Sequence, residues 1–569
     1  LNGKNVVSRE WKTLKKENLF RFELPDLKSG KYQIRLTTFA GTKQLHSMSR
    51  EFVRTVFPWE NNQLGITDKV YAPFKPLTFN GDSLKTVLNE YTFEPSGLYA
   101  DVKPRGESLF KGKSSLHFKA DGKDGRIVKA DGRFTRKSGY SADFAGTART
   151  DSGLSIETKS LTEYDGCTRF EMTLAPEPGK TPRLDSLYLD IPLDSAQIRL
   201  FHVIKAGNIR SNPAIKVPAG EGVVWKSTDT AVSGEFYGNM HVYLWLGEMD
   251  RGLSWFAEND RNFSLDDKKP AQELIRKDGV LTLRIHFVNK PFTLNQPRTL
   301  VFGMQASPVK PMPQDWRNPK LIIPPHGGSN AYWGIRPSYA GKYPVGYDWE
   351  YVDEMVKARE SGKINPKYID SFLKKHYSDM PEDLQKNYRA HAYNGHLGMM
   401  AQRGKNPTMM YLEEHCQDQT TPEWETFQDE WGLTNFTSRK WLKEKDLINA
   451  SLRSAAGLHI MPVKSYQDFV MWQCREWLKR GIGLYCDNAF PHNSTDPLNS
   501  NAYVREDGSV QPAANIWDMR EYHKRMWQLT REMQEKVKWP LLVNLHITNA
   551  VFLPVVCWTD VQLDLEWGW

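Results

Sequence analysis

Carboxylates that follow short apolar runs are the side chains of this sequence best suited to chemistry. One apolar run begins at Gly481 and ends abruptly at Asp487 and Asn488. Another, near the end of the sequence, leads into Asp564 and Glu566. Cleaving a glycosidic bond requires two carboxyl groups, one that protonates the leaving oxygen and one that acts as nucleophile or activates water. We therefore predict Asp487 and Glu566 as a catalytic pair.

Two further apolar runs also end in polar side chains. The run that begins at Thr408 leads to adjacent glutamates, and since alternation along a strand turns only one of them inward, we predict that Glu414 meets the substrate. The run that begins at Leu541 carries His546 and Asn549, whose imidazole and amide groups suit sugar hydroxyls. The predicted substrate-binding residues are Glu414, Asp564, His546, Asn549, Asn488 and Trp567.

Ordinary structural roles stay open for each of these residues. An Asp followed by Asn and a nearby Pro also suits a helix N-cap or a turn, which is the alternative for Asp487. Glu566 also suits a salt-bridged position at the rim of the barrel, and Glu413 and Glu414 also suit solvent-exposed positions there. His546 also fits a buried, hydrogen-bonded core histidine.

Strand-like and helix-like segments alternate in the C-terminal half of the sequence. Repeated strand–helix units specify a parallel sheet, and six or more close most economically as a (β/α) barrel, whose reactive residues gather where the strands end. Because the sequence stops in or just after the last strand candidate, we predict a TIM-like barrel that is incomplete at its C-terminus. The strand candidates begin at Leu321, Leu397, Thr408, Leu458, Ile482, Leu541 and Val561.

The N-terminal half has a different pattern, in which apolar and polar residues alternate and turn residues separate the runs. Numerous strands with almost no helical period between them predict antiparallel β-sandwiches. Several prolines after position 307 mark the change of pattern. The fold class is therefore multidomain, with a small Ig-like β-sandwich piece at 1–57, a large antiparallel β-sandwich at 58–310 and the (β/α) barrel at 311–569.

Composition and motifs exclude several classes of function. The net charge of +8 over 569 residues, without a dense basic run, argues against nucleic acid as a partner. The 19 Trp suit the flat faces of sugars, although Trp is also common in protein cores. The sequence contains no glycine-rich phosphate motif, no Gly-x-Ser-x-Gly elbow, no zinc-type spacing among its 5 Cys and no long apolar run. We therefore predict no cofactor, no metal and no membrane span.

Four segments resemble a known protein family. They are 59–62 (Trp-Glu-Asn-Asn), 252–261, 298–306 and 485–488 (Tyr-Cys-Asp-Asn). Together they resemble the large bacterial glycoside hydrolase domain proteins related to glycoside hydrolase family 123, over residues 57 to 569. This resemblance implies an exported polysaccharide-degrading enzyme, secreted, periplasmic or at the cell surface, with a β-sandwich ahead of a TIM-like barrel.

The resemblance offers two versions of the mechanism. Family 123 enzymes use an adjacent Asp-Glu pair together with the acetamido group of the substrate, and Asp429 with Glu430 is the Asp-Glu pair here that has aromatic neighbours. The Tyr-x-Asp-Asn end at Asp487 is instead similar to the nucleophile strand of α-galactosidase-like barrels. That similarity implies direct displacement by Asp487, which is the version that we favour.

The leading hypothesis is a glycoside hydrolase that acts on a polysaccharide or oligosaccharide. A polysaccharide lyase is an alternative, since His546 and Asn549 permit proton abstraction, but the number of strand-end acids favours hydrolysis. A third alternative is a protein that binds glycans without cleaving them.

Overall fold

The computed structural model describes most of the chain, and over these residues the protein is rich in β-structure, with many sheets and fewer helices. All structural statements below refer to this part of the chain. It comprises residues 5–12, 24–204, 214–229, 236–314, 316, 349–376, 378, 381–391, 397–403, 406–413, 416–417, 422–432, 458–547 and 550–563.

The first structural unit is a long antiparallel hairpin, formed by β1 (Gly30–Ala40) and β2 (Lys43–Arg54). Its two-residue turn contains Gly41, whose φ of 60° is a conformation that glycine adopts without steric cost. A small antiparallel sheet follows. It contains β3 (Thr78–Asn80), β4 (Ser83–Lys85), β5 (Asn89–Phe93) and β6 (Tyr99–Pro104).

Two large antiparallel sheets form the centre of the N-terminal half. The seven-stranded sheet has the order β16-β19-β20-β13-β7-β8, with β21 beside β13, and the nine-stranded sheet has the order β15-β14-β17-β18-β22-β12-β11-β10-β9. Their strands are β7 (Ser115–Ala120), β8 (Lys123–Asp124), β9 (Ile127–Lys137), β10 (Ser141–Thr150), β11 (Leu154–Glu163), β12 (Thr168–Pro176), β13 (Arg183–Asp194), β14 (Leu200–Ile204), β15 (Ile215–Lys216), β16 (Gly222–Lys226), β17 (Tyr243–Glu248), β18 (Arg251–Phe256), β19 (Gln272–Lys277), β20 (Val280–Val288), β21 (Phe292–Thr293) and β22 (Arg298–Ser307).

The two large sheets contact each other through the apolar face of each. Along β12 and β13 buried residues alternate with partly exposed ones, as expected for sheets with one face in the core. Phe287 on β20 lies 5.6 Å from Phe302 on β22, and Phe201 on β14 lies 4.9 Å from Trp225 on β16, between ring centroids. This matches the antiparallel sandwich predicted for this region, whereas the domain boundaries stay predictions.

Four parallel strands form the sheet of the C-terminal half, in the order β23-β26-β31-β32. They are β23 (Met409–Glu413), β26 (Gly483–Asp487), β31 (Val543–His546) and β32 (Val561–Leu563). Six shorter strands lie between them in the sequence, and all six pair antiparallel. They are β24 (Cys416–Gln417), β25 (Leu458–His459), β27 (Asn493–Ser494), β28 (Tyr503–Val504), β29 (Val510–Gln511) and β30 (Ala513–Ala514), where β24 pairs with β25.

Helices connect the parallel strands. None of the helices in the described ranges is both long enough and apolar enough to cross a bilayer. The stretches 348–361, 367–376, 466–480 and 516–537, whose sequence pattern predicts helices, are helical to within a few residues. The helices are α1 (Trp349–Ser361), α2 (Tyr368–His376), α3 (Glu382–His391), α4 (Leu397–Arg403), α5 (Pro422–Trp431), α6 (Lys464–Lys479), α7 (Ile516–Gln534) and α8 (Leu553–Val556).

The strand predictions for the barrel are only partly correct. The four candidates that begin at Thr408, Ile482, Leu541 and Val561 form the parallel sheet. The candidate at Leu397 is wrong, because Leu, Met, Ala and Gln are strong helix formers and the segment is helix α4. The candidate at Leu458 is β25, which pairs antiparallel with β24 and not with the parallel sheet. The candidate at Leu321 lies outside the described residues, so a closed barrel stays a prediction.

A buried ionic cluster joins the sandwich to helix α7. Arg520 on α7 contacts Glu163 (2.7 Å) and Asp165 (2.8 Å) at the end of β11, and Lys524 contacts Glu163 at 2.9 Å. Burial alone would raise the pKa of Glu163, but the cations of Arg520 and Lys524 outweigh this effect and lower that pKa to about 2. The two halves of the chain are therefore held together by charges that are removed from water.

Replacing Arg520 by Met should destabilise the protein strongly. The change leaves the carboxylates of Glu163 and Asp165 buried without their main cation, which typically costs about 3–5 kcal/mol. Urea denaturation followed by tryptophan fluorescence measures the loss. Lys69→Met provides the matched control, since Lys69 and its partner Glu535 are both about half exposed, and an ion pair so open to solvent contributes little to stability. Equal effects of the two substitutions would contradict the prediction.

Candidate active site

The two central strands of the parallel sheet, β26 and β31, have one polar face and one apolar face. Alternation places Tyr485 and Asp487 of β26 on the same face, and Asn544 and His546 of β31 lie beside them, because Tyr485 pairs with Asn544 in the parallel register. Parallel sheets buried on both sides are usually apolar on both faces. Four adjacent polar or aromatic side chains on one face therefore indicate a functional surface.

The opposite face of the same two strands is apolar and packs on helix α7. Leu484, Cys486, Val543 and Leu545 occupy it, and all four are fully buried. Cys486 Sγ lies 3.3 Å from Met526 Sδ of α7. The helix thus fixes the sheet from behind, so that the face with Asp487 is turned away from it.

Asp487 is the last residue of β26, and His546 is the last residue of β31. Oδ1 of Asp487 is 2.7 Å from Nδ1 of His546, and it also accepts a hydrogen bond of 2.8 Å from the backbone N–H of Asn488. The Tyr485 hydroxyl lies 3.3 Å from the same His546 nitrogen. With Asp487 ionised, Nδ1 of His546 carries the proton and donates it. Two donors on one oxygen therefore orient the carboxylate.

Both side chains of this pair are shielded but not sealed from solvent. The Asp487 side chain is 14% exposed and that of His546 is 5% exposed. Asp487 is not a helix N-cap, because the next helix begins only at Ile516 with Asn515 at the N-cap. The chain turns immediately after the strand, where Asn488 adopts a φ of 56°. Of the predicted site, the structure thus brings Asp487, Asn488 and His546 together.

Five predicted site residues lie outside the described part of the chain, but the strands that lead toward two of them, Glu414 and Glu566, are described. Glu413 is the last residue of β23 and pairs with Asp487 in the parallel register. The position beside Asp487 is therefore 413, whereas the sequence pattern favoured 414. The strand that leads toward Glu566 ends at Leu563, which pairs with His546. The residues that lie outside the described part of the chain are Glu566, Glu414, Asp564, Asn549 and Trp567.

Two residues of the polar face were not selected from the sequence. Tyr485 and Asn544 each precede a selected residue by two positions, so the alternation rule would have identified both. Asn544 is fully buried, and its Oδ1 has no hydrogen-bond partner among the described residues. A buried amide oxygen without a partner costs about 1–3 kcal/mol.

A long connection follows Asp487 and is held by the sandwich. We call residues 488–515, between β26 and α7, the mouth loop. Glu258, just after β18, accepts hydrogen bonds from the backbone N–H of Trp517 (3.0 Å) and from Nδ2 of Asn501, and its backbone carbonyl accepts one from the N–H of Ala514 (2.9 Å). The sandwich thereby contacts both the loop and the first turn of the helix that follows it.

The next two residues of the sandwich extend this contact. Asn259 Nδ2 donates to the carbonyls of Asn501 and Pro512, both at 3.0 Å. Asp260 Oδ1 accepts from Gln511 Nε2 (2.7 Å) and from the Tyr503 hydroxyl (2.9 Å). We call residues 257–261 the clamp segment. The sequence singles out this stretch only for its family resemblance, and the structure shows its physical role.

Carboxyl groups at this junction have raised pKa values. Burial, reinforced by the nearby charge of Asp518, raises the pKa of Glu258 to about 7. Burial likewise raises the pKa of Asp518 to about 6, against the opposing effect of Arg169. Burial also raises the pKa of Asp260. At mildly acidic pH, Glu258 is therefore neutral and its contacts require no buried charge.

The raised pKa of Glu258 predicts a loss of stability as the pH rises. Its folded pKa of about 7 exceeds the ordinary value of 4.5, so the folded protein binds the proton more tightly than the unfolded chain. The stabilisation is complete below pH 4.5 and is lost as the pH rises through about 7, at a cost of up to about 3 kcal/mol. Urea unfolding of the unaltered protein and of Glu258→Gln, measured from pH 5 to pH 8, should show a weaker pH dependence in the variant. Identical pH profiles would refute this assignment.

Comparison with known proteins gives structural neighbours only. No family model matches the chain, and no curated protein matches its sequence. Among solved structures, it is similar to the alpha-N-acetylgalactosaminidase NagBb from Bifidobacterium bifidum, with 11% identity, 83% of this chain and 69% of that chain covered, and a TM-score of 0.28. It is also similar to the GH36 alpha-galactosidase AgaA from Geobacillus stearothermophilus, with 10% identity, 83% and 72% coverage and a TM-score of 0.28.

A third similar structure is a Glycoside Hydrolase Family 97 enzyme from Pseudoalteromonas sp. strain K8 in complex with panose, with 8% identity, 83% and 66% coverage and a TM-score of 0.26. All three neighbours are glycosidases by name. At TM-scores this low, however, the likeness decides neither the fold nor the activity of this chain.

A relation to family 123 is not shown by these comparisons. Its Asp-Glu chemistry also lacks a suitable position here, because Asp429 and Glu430 are exposed near the end of helix α5 and not at the end of a parallel strand.

Proposed function

We propose that this protein hydrolyses a glycosidic bond and that Asp487 is the reacting carboxylate. The observation that supports this most is the pairing of Asp487 with His546 at the ends of adjacent parallel strands. Side chains from different strands meet at such ends while the backbone remains fully hydrogen-bonded. An oriented, shielded carboxylate in this position suits attack on an anomeric carbon or activation of water.

The second carboxyl group is proposed to be Glu566. Strand β32, which leads toward it, lies two strands from β26, a backbone separation of about 10 Å. This spacing is compatible with the carboxyl separations of glycosidases, which run from about 5 to about 9.5 Å. Glu413, in register with Asp487 on the adjacent strand at about 5 Å, is the competing candidate.

The remaining residues are proposed to hold the sugar. His546 contacts the Asp487 carboxylate through Nδ1, Asn488 donates to it through its backbone N–H, and the Tyr485 hydroxyl lies 3.3 Å from the same imidazole nitrogen, so these residues adjoin the reacting group. The proposed sugar-binding residues are His546, Asn488, Glu414, Asp564, Asn549 and Trp567.

Replacing Asp487 by Asn should abolish most of the hydrolysis. The amide keeps the size of the side chain but can neither attack nor accept a proton, so kcat should fall by about 10³-fold or more. Release of 4-nitrophenol from a panel of 4-nitrophenyl glycosides, or of reducing ends from polysaccharides, measures this. Asp124→Asn, on the exposed strand β8, is the matched control and should keep full activity. Near-normal turnover in Asp487→Asn would remove Asp487 from the mechanism.

Replacing Glu566 by Gln tests the second carboxyl group. A lost proton donor hurts substrates with poor leaving groups most, so kcat should fall by about 10²-fold or more for a sugar leaving group and much less for 2,4-dinitrophenol. Glu413→Gln is measured in parallel under the same conditions. If Glu413→Gln shows this pattern and Glu566→Gln does not, the role of the acid belongs to Glu413.

Elimination is the second candidate, because Tyr485 and His546 lie within 3.3 Å of each other and both could serve as the base of a lyase. The products distinguish the two reactions. New reducing ends together with an ultraviolet-absorbing unsaturated sugar indicate elimination, and new reducing ends without this absorbance indicate hydrolysis. Glycan binding without any product indicates neither.

A further inference from the structure

We infer that Glu258 of the sandwich is a positioning residue for the site around Asp487, to which it is joined through the mouth loop. The effect of Glu258 on catalysis rests on the proposed function, whereas its hold on the mouth loop does not. The sandwich then contributes to the reaction from outside the parallel sheet, and without touching the substrate.

Glu258 makes its contacts at the far end of the mouth loop. Glu258 holds Asn501, Ala514 and Trp517 with its carboxyl group and its backbone carbonyl. Glu258 and the alanines of β30 are buried. Because every one of these contacts is donated to Glu258, one residue of the sandwich fixes the end of the loop and the start of helix α7 together.

The fixed end of the loop is paired with its beginning. Strand β30 pairs with β27 in an antiparallel register that joins Ala514 to Asn493 and Ala513 to Ser494. Asn515 Nδ2 donates a hydrogen bond of 2.9 Å to the carbonyl of His492. The restraint applied by Glu258 therefore passes across the loop to residues only five to seven positions after Asp487.

The beginning of the loop is in turn attached to the strand ends. The N–H of Ala489 donates to the carbonyl of His546 at 2.9 Å, and the N–H of Asn488 donates to Asp487. The chain of contacts thus runs from Glu258 through β30 and β27 to Asn488, Asp487 and His546. Removing the carboxyl group of Glu258 leaves the backbone hydrogen bond to Ala514 but releases Asn501 and Trp517 on either side of β30, which should loosen the loop and the backbone that orients the carboxylate.

Burial of Glu258 suits this role. A neutral carboxyl group can accept both hydrogen bonds without the desolvation cost of a charge, and the raised pKa of Glu258 keeps it neutral below neutral pH. The glutamine side chain retains one acceptor oxygen in place of two, whereas the alanine side chain retains none and only the backbone carbonyl contact with Ala514 remains. Glu258→Gln should therefore be intermediate between Glu258→Ala and the unaltered protein.

Hydrogen exchange of the full-length protein, read by mass spectrometry at pH 6, tests the inference. In Glu258→Ala, exchange should quicken about tenfold or more in peptides covering 499–517 and also in those covering 488–494. Glu258→Gln should show a smaller increase in both segments. Glu221→Gln, an exposed glutamate of the same sandwich, is the matched control and should leave exchange unchanged.

Two exchange results would overturn the inference. One is unchanged exchange in 499–517, which means that Glu258 does not hold the loop. The other is faster exchange in 499–517 with unchanged exchange in 488–494, which means that the restraint does not reach Asp487.

Kinetics with whichever 4-nitrophenyl glycoside the unaltered protein cleaves give a second, separate test. Glu258→Ala should lower kcat about tenfold with little change in KM, and partial rescue by Glu258→Gln should follow the exchange data. Unchanged kcat beside a loosened loop would overturn the positioning role. If the unaltered protein cleaves no glycoside, the proposed function fails, and the exchange experiment alone decides the inference about Glu258.

Discussion

The site depends on the parallel register between β26 and β31. That register sets Tyr485 beside Asn544 and continues to Asp487 beside His546, so a shift by one residue would turn both polar pairs to the face that packs on α7. The apolar residues of the opposite face, with Cys486 against Met526, make such a shift costly. Ordinary hydrophobic packing behind the sheet therefore fixes the position of the reactive groups in front of it.

A second constraint is the polar junction between the two halves of the chain. Arg520 and Lys524 of α7 contact acids of the sandwich, and the clamp segment contacts the mouth loop that leads into the same helix. Buried charges and carboxyl groups tolerate little displacement, because each lost partner leaves an uncompensated polar group. Helix α7 is thus held on one side by the sandwich and on the other by the parallel sheet.

Of the polar strand ends selected from the sequence, those at Asp487 and His546 lie in the described part of the chain, and each is the last residue of a parallel strand. Asp487 and His546 were identifiable because a short β-rich run that ends in polar residues has a distinctive pattern, and four such runs do form the sheet. Leu397 was misassigned because an apolar run of that length fits a helix as well as a strand, and the helix propensity of its residues prevailed. Closure of the strands into a ring involves pairings that local pattern does not encode.

The role of Glu258 lay beyond sequence reasoning for a related reason. Its partners Asn501 and Trp517 are more than 240 positions away, and burial, which raises its pKa, exists only after the two halves have met. In the sequence it is one acid among 68 Asp and Glu residues. Tyr485 was missed for a simpler reason, since it precedes a selected residue by two positions on the same strand face.

The contacts between the clamp segment and the mouth loop limit where this chain can be cut into separate parts. A parallel-sheet half excised at the predicted boundary near 311 would carry Ala514, Trp517 and Gln511 with their sandwich acceptors removed. The C-terminal half is therefore not a portable module. Any chimaera that grafts it onto another scaffold needs a substitute for three consecutive residues of its former neighbour, Glu258, Asn259 and Asp260.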